Sequence, residues 1–186
     1  MAFRESGKST ILNMANALWS ILGSPEKKFV IVVGKTQEQA KSHFTNIKHE
    51  LQTNALLRED FGPFIENGEE WNKLSLELVY QGSKILSVAR DQSLRGLKYG
   101  TFRPDLIICD DLEDTLTTSH GEKQDLYRWF HHEILPLGNA TTRIVVLGNL
   151  LFEDSFLLRL QQDISAKKIK GTFRAYPLLD DHGVCL

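Results

Sequence analysis

Three short apolar runs limit what this chain can fold into. Val30–Val33 in KKFVIVVGKT, Leu106–Cys109 in DLIICDD and Ile144–Leu147 in RIVVLGN are apolar in both phases of a two-residue repeat. Runs this short bounded by polar turns are strands. A strand with no polar face must be covered on both sides, as strands of parallel sheets are. Segments of helical period lie around them. From Lys8 to Leu22, the residues Ile11, Met14, Leu18 and Leu22 fall on one stripe with Leu12, Ala15 and Trp19 beside it. Only Asn13, Asn16 and Ser20 are polar there, so a largely buried helix is expected. Thr36 can cap a second helix whose inner face is Ala40, Phe44, Ile47 and Leu51. Leu126, Phe130 and Ile134 mark a third between His120 and Leu135, and Phe152–Leu160 supports a short fourth.

Residues 55–72 are less regular. LSLELVYQGSKILSVAR then reads as a hairpin turning at Gln81-Gly82-Ser83, and TFRAYPLL as a last strand. Buried strands alternating with helices give an α/β fold, a mostly parallel sheet flanked by helices on both faces with an inserted β-hairpin. With 186 residues, one domain with a sizeable core is expected. No apolar stretch approaches a membrane span, and Arg4, Glu5 and Lys8 interrupt any leader-like start. Cys109 and Cys185 lie far apart and read as free thiols of a reducing compartment. The net charge of −2 gives no general basic footprint, so contact with nucleic acid would have to use local patches. Lys167, Lys168 and Lys170 are one such run, although most runs of this kind are simply solvated.

Ligands of open α/β sheets bind beyond the carboxyl ends of the strands. Three segments there share one chemistry. Ser6-Gly7-Lys8-Ser9-Thr10 opens the first helix. A Gly-rich turn at a helix start offers backbone N–H groups to phosphate, with Lys8 reaching the β/γ-phosphates and the Ser9 hydroxyl on Mg²⁺. The plainer reading is a polar helix cap, and Ala2 stands where the usual spelling has its first glycine. Asp110 and Asp111 end the second run, with Glu113 and Asp114 close behind. Asp110 would hold Mg²⁺ through water, and a neighbouring carboxylate would orient or deprotonate the attacking water. The alternative is a solvated acidic loop. Gly148-Asn149 ends the third run, where the amide can sit beside a γ-phosphate or form only a turn. The three together, in this order, favour a P-loop domain that hydrolyses a nucleotide.

FRESGKST resembles the variant phosphate loop of large terminase subunits, the motors that package DNA into viral heads. RGLKYGTFRPDLIICDDLED resembles that family's Walker B region, and RIVVLGNLLFEDSFLLRL its coupling motif. The resemblance runs through nearly the whole chain. It implies a P-loop ATPase using ATP and Mg²⁺, with residues 4–10 (Arg4 to Thr10, Glu5 included) around the phosphates and Ser9 and Asp110 on the metal. It implies that Arg4 stabilises charge beside the γ-phosphate; otherwise Arg4 pairs with Glu5 or another acid. The family most often has glutamate after the Walker B aspartate, and here Asp111 stands there. Asp111 is therefore the expected catalytic carboxylate, with Glu113 the alternative. Asn149 takes the place of a coupling threonine or serine. Arg95 is the expected arginine acting in trans, with Arg90 and Arg103 as alternatives.

The resemblance further implies double-stranded DNA, a portal protein and a small terminase subunit as partners. It implies a homo-oligomeric ring when active, no membrane, and the cytoplasm of an infected or lysogenic host cell. Residues 1–186 are expected to be a single ATPase domain truncated at the N-terminus and lacking the family's downstream nuclease domain. The rival readings are another P-loop ATPase such as a helicase, a nucleotide kinase, and a nucleotide- or DNA-binding module without turnover.

Overall fold

A computed structural model describes residues 6–23, 27–64, 74–113 and 119–177. Its centre is a five-stranded sheet built from β1 (Phe29–Gly34), β2 (Ser75–Leu78), β3 (Ser83–Ala89), β4 (Leu106–Asp110) and β5 (Arg143–Leu147). The order is β2-β3-β1-β4-β5; β2 is antiparallel to β3, and the other pairs are parallel. The hairpin expected as an insertion is continuous with this sheet, because its second strand, β3, lies directly beside β1.

Apolarity in both phases has the expected consequence. Val30 and Val32 of β1, Ile108 of β4 and Leu147 of β5 pack into one core layer, while Phe29, Ile31 and Val33, Ile107 and Cys109 pack into the other. The first layer is closed by α1 (Asn16–Leu22) and α2 (Gln37–Thr53), the second by α4 (His120–Trp129), its continuation through Ile134, and α5 (Phe156–Ser165). Thr36 caps α2 by accepting from Gln39 N–H, and the inner face is Ala40, Phe44, Ile47 and Leu51, all buried. A short α3 (Ala55–Phe61), capped by Asn54, fills part of the stretch expected to be irregular.

Three expectations need correction. The first helix is not buried all round: Ile11 is 59% and Trp19 62% exposed, whereas Asn13 is 1% exposed. Its first part, Thr10–Ala15, is a π-helical turn in which Asn16 N–H bonds Ile11 O, so an α-helical stripe drawn from Lys8 slips out of phase. The short helix begins at Phe156, after a Ser155 cap, rather than at Phe152. No regular strand forms over residues 172–177, and residues 178–186 lie outside the described residues. No helix among the described residues is long and apolar enough to cross a membrane.

The register sets the site. Gly34 pairs with Ala89, Val33 with Cys109 and Asp110 with Leu147, so four parallel strands finish level at one edge. α2 starts hard against that edge: a Cβ on Gly34 would come within 2.9 Å of Ala40 N. The α2 stripe carries much of the first core layer, so Phe44→Ala is expected to lower unfolding stability by about 3–5 kcal/mol. Urea denaturation checks this, and a loss under about 1 kcal/mol would place Phe44 outside the core.

Candidate functional site

Three segments far apart in sequence meet at the carboxyl edge of the sheet. Gly7 supplies the turn before the first helix with φ of +70°, a left-handed conformation that favours glycine. The turn carries Lys8 over the ends of β4 and β5. Lys8 Nζ donates to Asn149 Oδ1 at 3.2 Å and lies 4.0 Å from Asp111 Oδ2. Asn149 Nδ2 reaches Asp111 Oδ1 at 3.5 Å, the outer limit of a hydrogen bond. One helix position further, Ser9 Oγ donates to Asp110 Oδ2 at 2.8 Å.

Asp110 is buried at the end of an apolar strand, and its environment is asymmetric. Besides Ser9, Oδ2 accepts from Asn13 Nδ2 at 2.6 Å and has His43 Nε2 at 3.3 Å. Oδ1 is buried with no hydrogen-bond partner, as is Ser6 Oγ at the loop. Burial holds His43 below the ordinary histidine value, although the charges of Asp110 and Asp111 oppose that shift. The 3.3 Å contact of His43 with Asp110 is thus the close approach of a ring that burial holds toward its neutral form.

Asp111 follows with φ of +42°, strained for a residue bearing a side chain but tolerated by aspartate. Its backbone N–H still bonds Leu147 O, so the strand ladder ends only there. The kink points the two carboxylates at different neighbours: Asp110 meets Ser9, Asn13 and His43, and Asp111 meets Lys8 and Asn149. Glu113 has a third environment. Its Oε2 accepts from Phe156 N–H at the start of α5 at 3.1 Å, and its Oε1 is buried without a partner. Its link is thus to α5, whereas Asp111 lies against Lys8.

The arginines separate as well. Arg90 Nη1 donates to Leu112 O at 3.3 Å, beside the carboxylates. Arg95 Nε pairs with Glu133 at 2.8 Å while its side chain stays 73% exposed. Arg4, Glu5 and Asp114 lie outside the described residues. Sequence reasoning missed Asn13 and His43, the two residues behind Asp110. Asn13 gave a faint signal as a polar residue in an apolar helix.

The donor set fits a phosphate-bound divalent cation. Mg²⁺ takes few protein ligands and leaves the rest to phosphate and water. Ser9 donates a hydrogen bond to Asp110, which leaves the hydroxyl lone pairs available, and Asp110 keeps an unpartnered Oδ1. Among the described residues no cluster of three or more acidic, histidine or cysteine side chains could hold a metal unaided.

No protein-family profile matches the sequence, and no curated relative matches it. Solved structures do. The large terminase ATPase domain of Thermus phage P74-26, as an arginine-to-alanine mutant, aligns with TM-score 0.58 and 16% identity over 84% of this chain and 61% of that one. The large terminase of bacteriophage HK97 aligns with TM-score 0.57 and 14% identity over 96% of this chain and 35% of that one. The Thermus phage domain without the mutation gives 0.50 and 17%, over 82% and 60%. The chain thus shares the α/β fold of large terminase ATPase domains and spans about three fifths of the first of them.

Burial pushes the Glu113 carboxyl above its ordinary value of 4.5; the Phe156 N–H and Lys123 oppose this and Asp154 adds to it. A carboxyl with a raised pKa keeps its proton in the folded chain after the unfolded chain has released it. Its stabilising contribution is full below the unfolded pKa and is lost as pH rises through the folded one. Glu113→Gln keeps an acceptor for Phe156 and cannot titrate. Thermal midpoints of Glu113→Gln relative to wild type are expected to rise from pH 4.5 towards neutrality. A pH-independent difference would contradict the shift.

Proposed function

We propose that this chain is the ATP-hydrolysing motor domain of a large terminase subunit, driving packaging of double-stranded viral DNA into a prohead. The observation that carries the reading is the meeting of Lys8, Asp110, Asp111 and Asn149 at one sheet edge, through a 3.2 Å contact between Lys8 and Asn149 and a 2.8 Å contact between Ser9 and Asp110. The shared fold with phage terminase ATPase domains supports it.

The chemistry follows from the side chains. Lys8 exchanges its bond with Asn149 for the β/γ-phosphates of ATP, a stronger partner for an ammonium than a neutral amide. The backbone from Ser6 to Thr10 lies at a helix start, where N–H groups lack intrahelical acceptors and suit phosphate oxygens. Ser9 and Asp110 would hold Mg²⁺, which would supply positive charge to offset that of the phosphates during transfer. Asp111, rather than Glu113, orients and deprotonates the attacking water. It lies beside Lys8 and Asn149, while Glu113 is committed to α5. Arg4 adds a fixed cation where charge develops, and Arg95 is exposed enough to reach a neighbouring subunit, where such arginines contribute roughly 10³–10⁵ in rate. Asn149, bonded to Lys8 and facing Asp111, reports loss of the γ-phosphate to the segment leading into α5.

The proposal carries its partners: double-stranded DNA, a portal protein, a small terminase subunit and further copies of the chain in a ring, in the cytoplasm of an infected or lysogenic host. Phosphate release with and without double-stranded DNA tests it. Turnover is expected for wild type and none for Lys8→Ala. Asp111→Asn should bind nucleotide normally but lose about 10²–10⁴ in rate. ATP binding without turnover would make the chain an inert module. Phosphate passed to a small acceptor would make it a kinase, and turnover untouched by Lys8→Ala would remove the site.

A further inference from the structure

Asn13 occupies a place where a helix packed on a sheet ordinarily puts an apolar side chain. It is 1% exposed and shares a helix face with Ser9, four residues earlier. Both side chains reach the same oxygen, Asp110 Oδ2, at 2.6 Å from Asn13 and 2.8 Å from Ser9. His43, from α2, adds Nε2 at 3.3 Å to that oxygen, and its Nδ1 lies 3.4 Å from Asn13 Nδ2. The His43 ring packs against both groups, with Asn13 Nδ2 within reach of either ring nitrogen, 3.4 Å from Nδ1 and 3.5 Å from Nε2.

The consequence is directional. All three partners fall on Oδ2 and none on Oδ1, although both oxygens belong to a buried side chain. The carboxylate cannot rotate about χ2 without breaking the bonds from Ser9 and Asn13. Asn13 cannot flip either, because its carbonyl would then face the carboxylate. Its own Oδ1 stays buried without a partner in the present orientation. A side chain kept only for packing would not need this arrangement, which leaves one amide oxygen unsatisfied to secure one donor bond.

The geometry points to Asn13 as a positioning residue for divalent-cation binding: its amide, braced by His43, fixes Asp110 Oδ2 and leaves Oδ1 as the acceptor for the cation's shell. This rests on the reading of Ser9 and Asp110 as the cation side of a phosphate site. Outer partners of this kind typically contribute 10–100-fold to metal affinity.

The test is Mn²⁺ titration of the full chain with saturating ADP, followed by electron paramagnetic resonance. ADP affinity in chelator and thermal midpoints are measured in parallel. Asn13→Ala is expected to weaken Mn²⁺ about 10–100-fold while ADP affinity without metal stays within about twofold. His43→Ala should weaken Mn²⁺ in the same direction by a smaller factor, and serves if Asn13→Ala does not fold. A folded Asn13→Ala, or failing that His43→Ala, with wild-type Mn²⁺ affinity overturns the inference. Equal losses of Mn²⁺ and metal-free ADP also overturn it, since they mean a merely structural role. Asp110→Asn separates the two levels. If it abolishes Mn²⁺ binding while Asn13→Ala and His43→Ala leave it intact, the phosphate site stands and the role of Asn13 falls. A wild-type chain that binds ADP but no Mn²⁺ removes the cation reading and this inference with it.

Discussion

A carboxylate buried at the end of an apolar strand is costly unless donors surround it, and Asp110 is such a group. Its donors come from the first helix, Ser9 and Asn13, and His43 of α2 packs against it. Satisfying Asp110 therefore fixes where the first helix lies against β4. The turn at Gly7, the level strand ends and the start of α2 against Gly34 are consistent with that one requirement. The same compensation leaves Oδ1 unpartnered, so the group that organises the fold locally is also the one prepared for a ligand.

After Asp110 the two acidic residues Asp111 and Glu113 have distinct tasks. Asp111 departs from the strand in a left-handed conformation and balances Lys8. Glu113 turns back to Phe156 at the start of α5. The end of β4 is thereby tied to α5 through Glu113, and to β5 through the Asp111 N–H on Leu147 O. In the proposed cycle, a change at Asn149 has a short covalent and hydrogen-bonded route to α5, and no long pathway is required.

Much of this was legible in the sequence. The runs at Val30, Leu106 and Ile144 announced strands covered on both faces, and the α2 stripe was read residue by residue, because local period decides both. The three polar strand ends were visible for the same reason: each directly follows a buried strand. What could not be read depends on distant partners. Asn13 stood out only as a polar residue in an apolar helix, without a visible partner, because Asp110 lies 97 positions away and the π-helical turn alters the phase of the helix. β3 looked like half of an insertion because its pairing with β1 spans the intervening α2 and α3. The roles of Asp111 and Glu113 were inseparable by spacing alone, since two residues of loop can turn either carboxylate toward the lysine.

The decisive experiment is a crystal structure with Mg²⁺ and a non-hydrolysable ATP analogue. Lys8 Nζ should be released from Asn149 and bonded to the β/γ-phosphates, with the cation between Ser9 and the Asp110 Oδ1 side and Asp111 facing the γ-phosphate. Nucleotide bound elsewhere, or bound here with the Lys8–Asn149 contact intact and Asp110 remote from the metal, would contradict the proposed site.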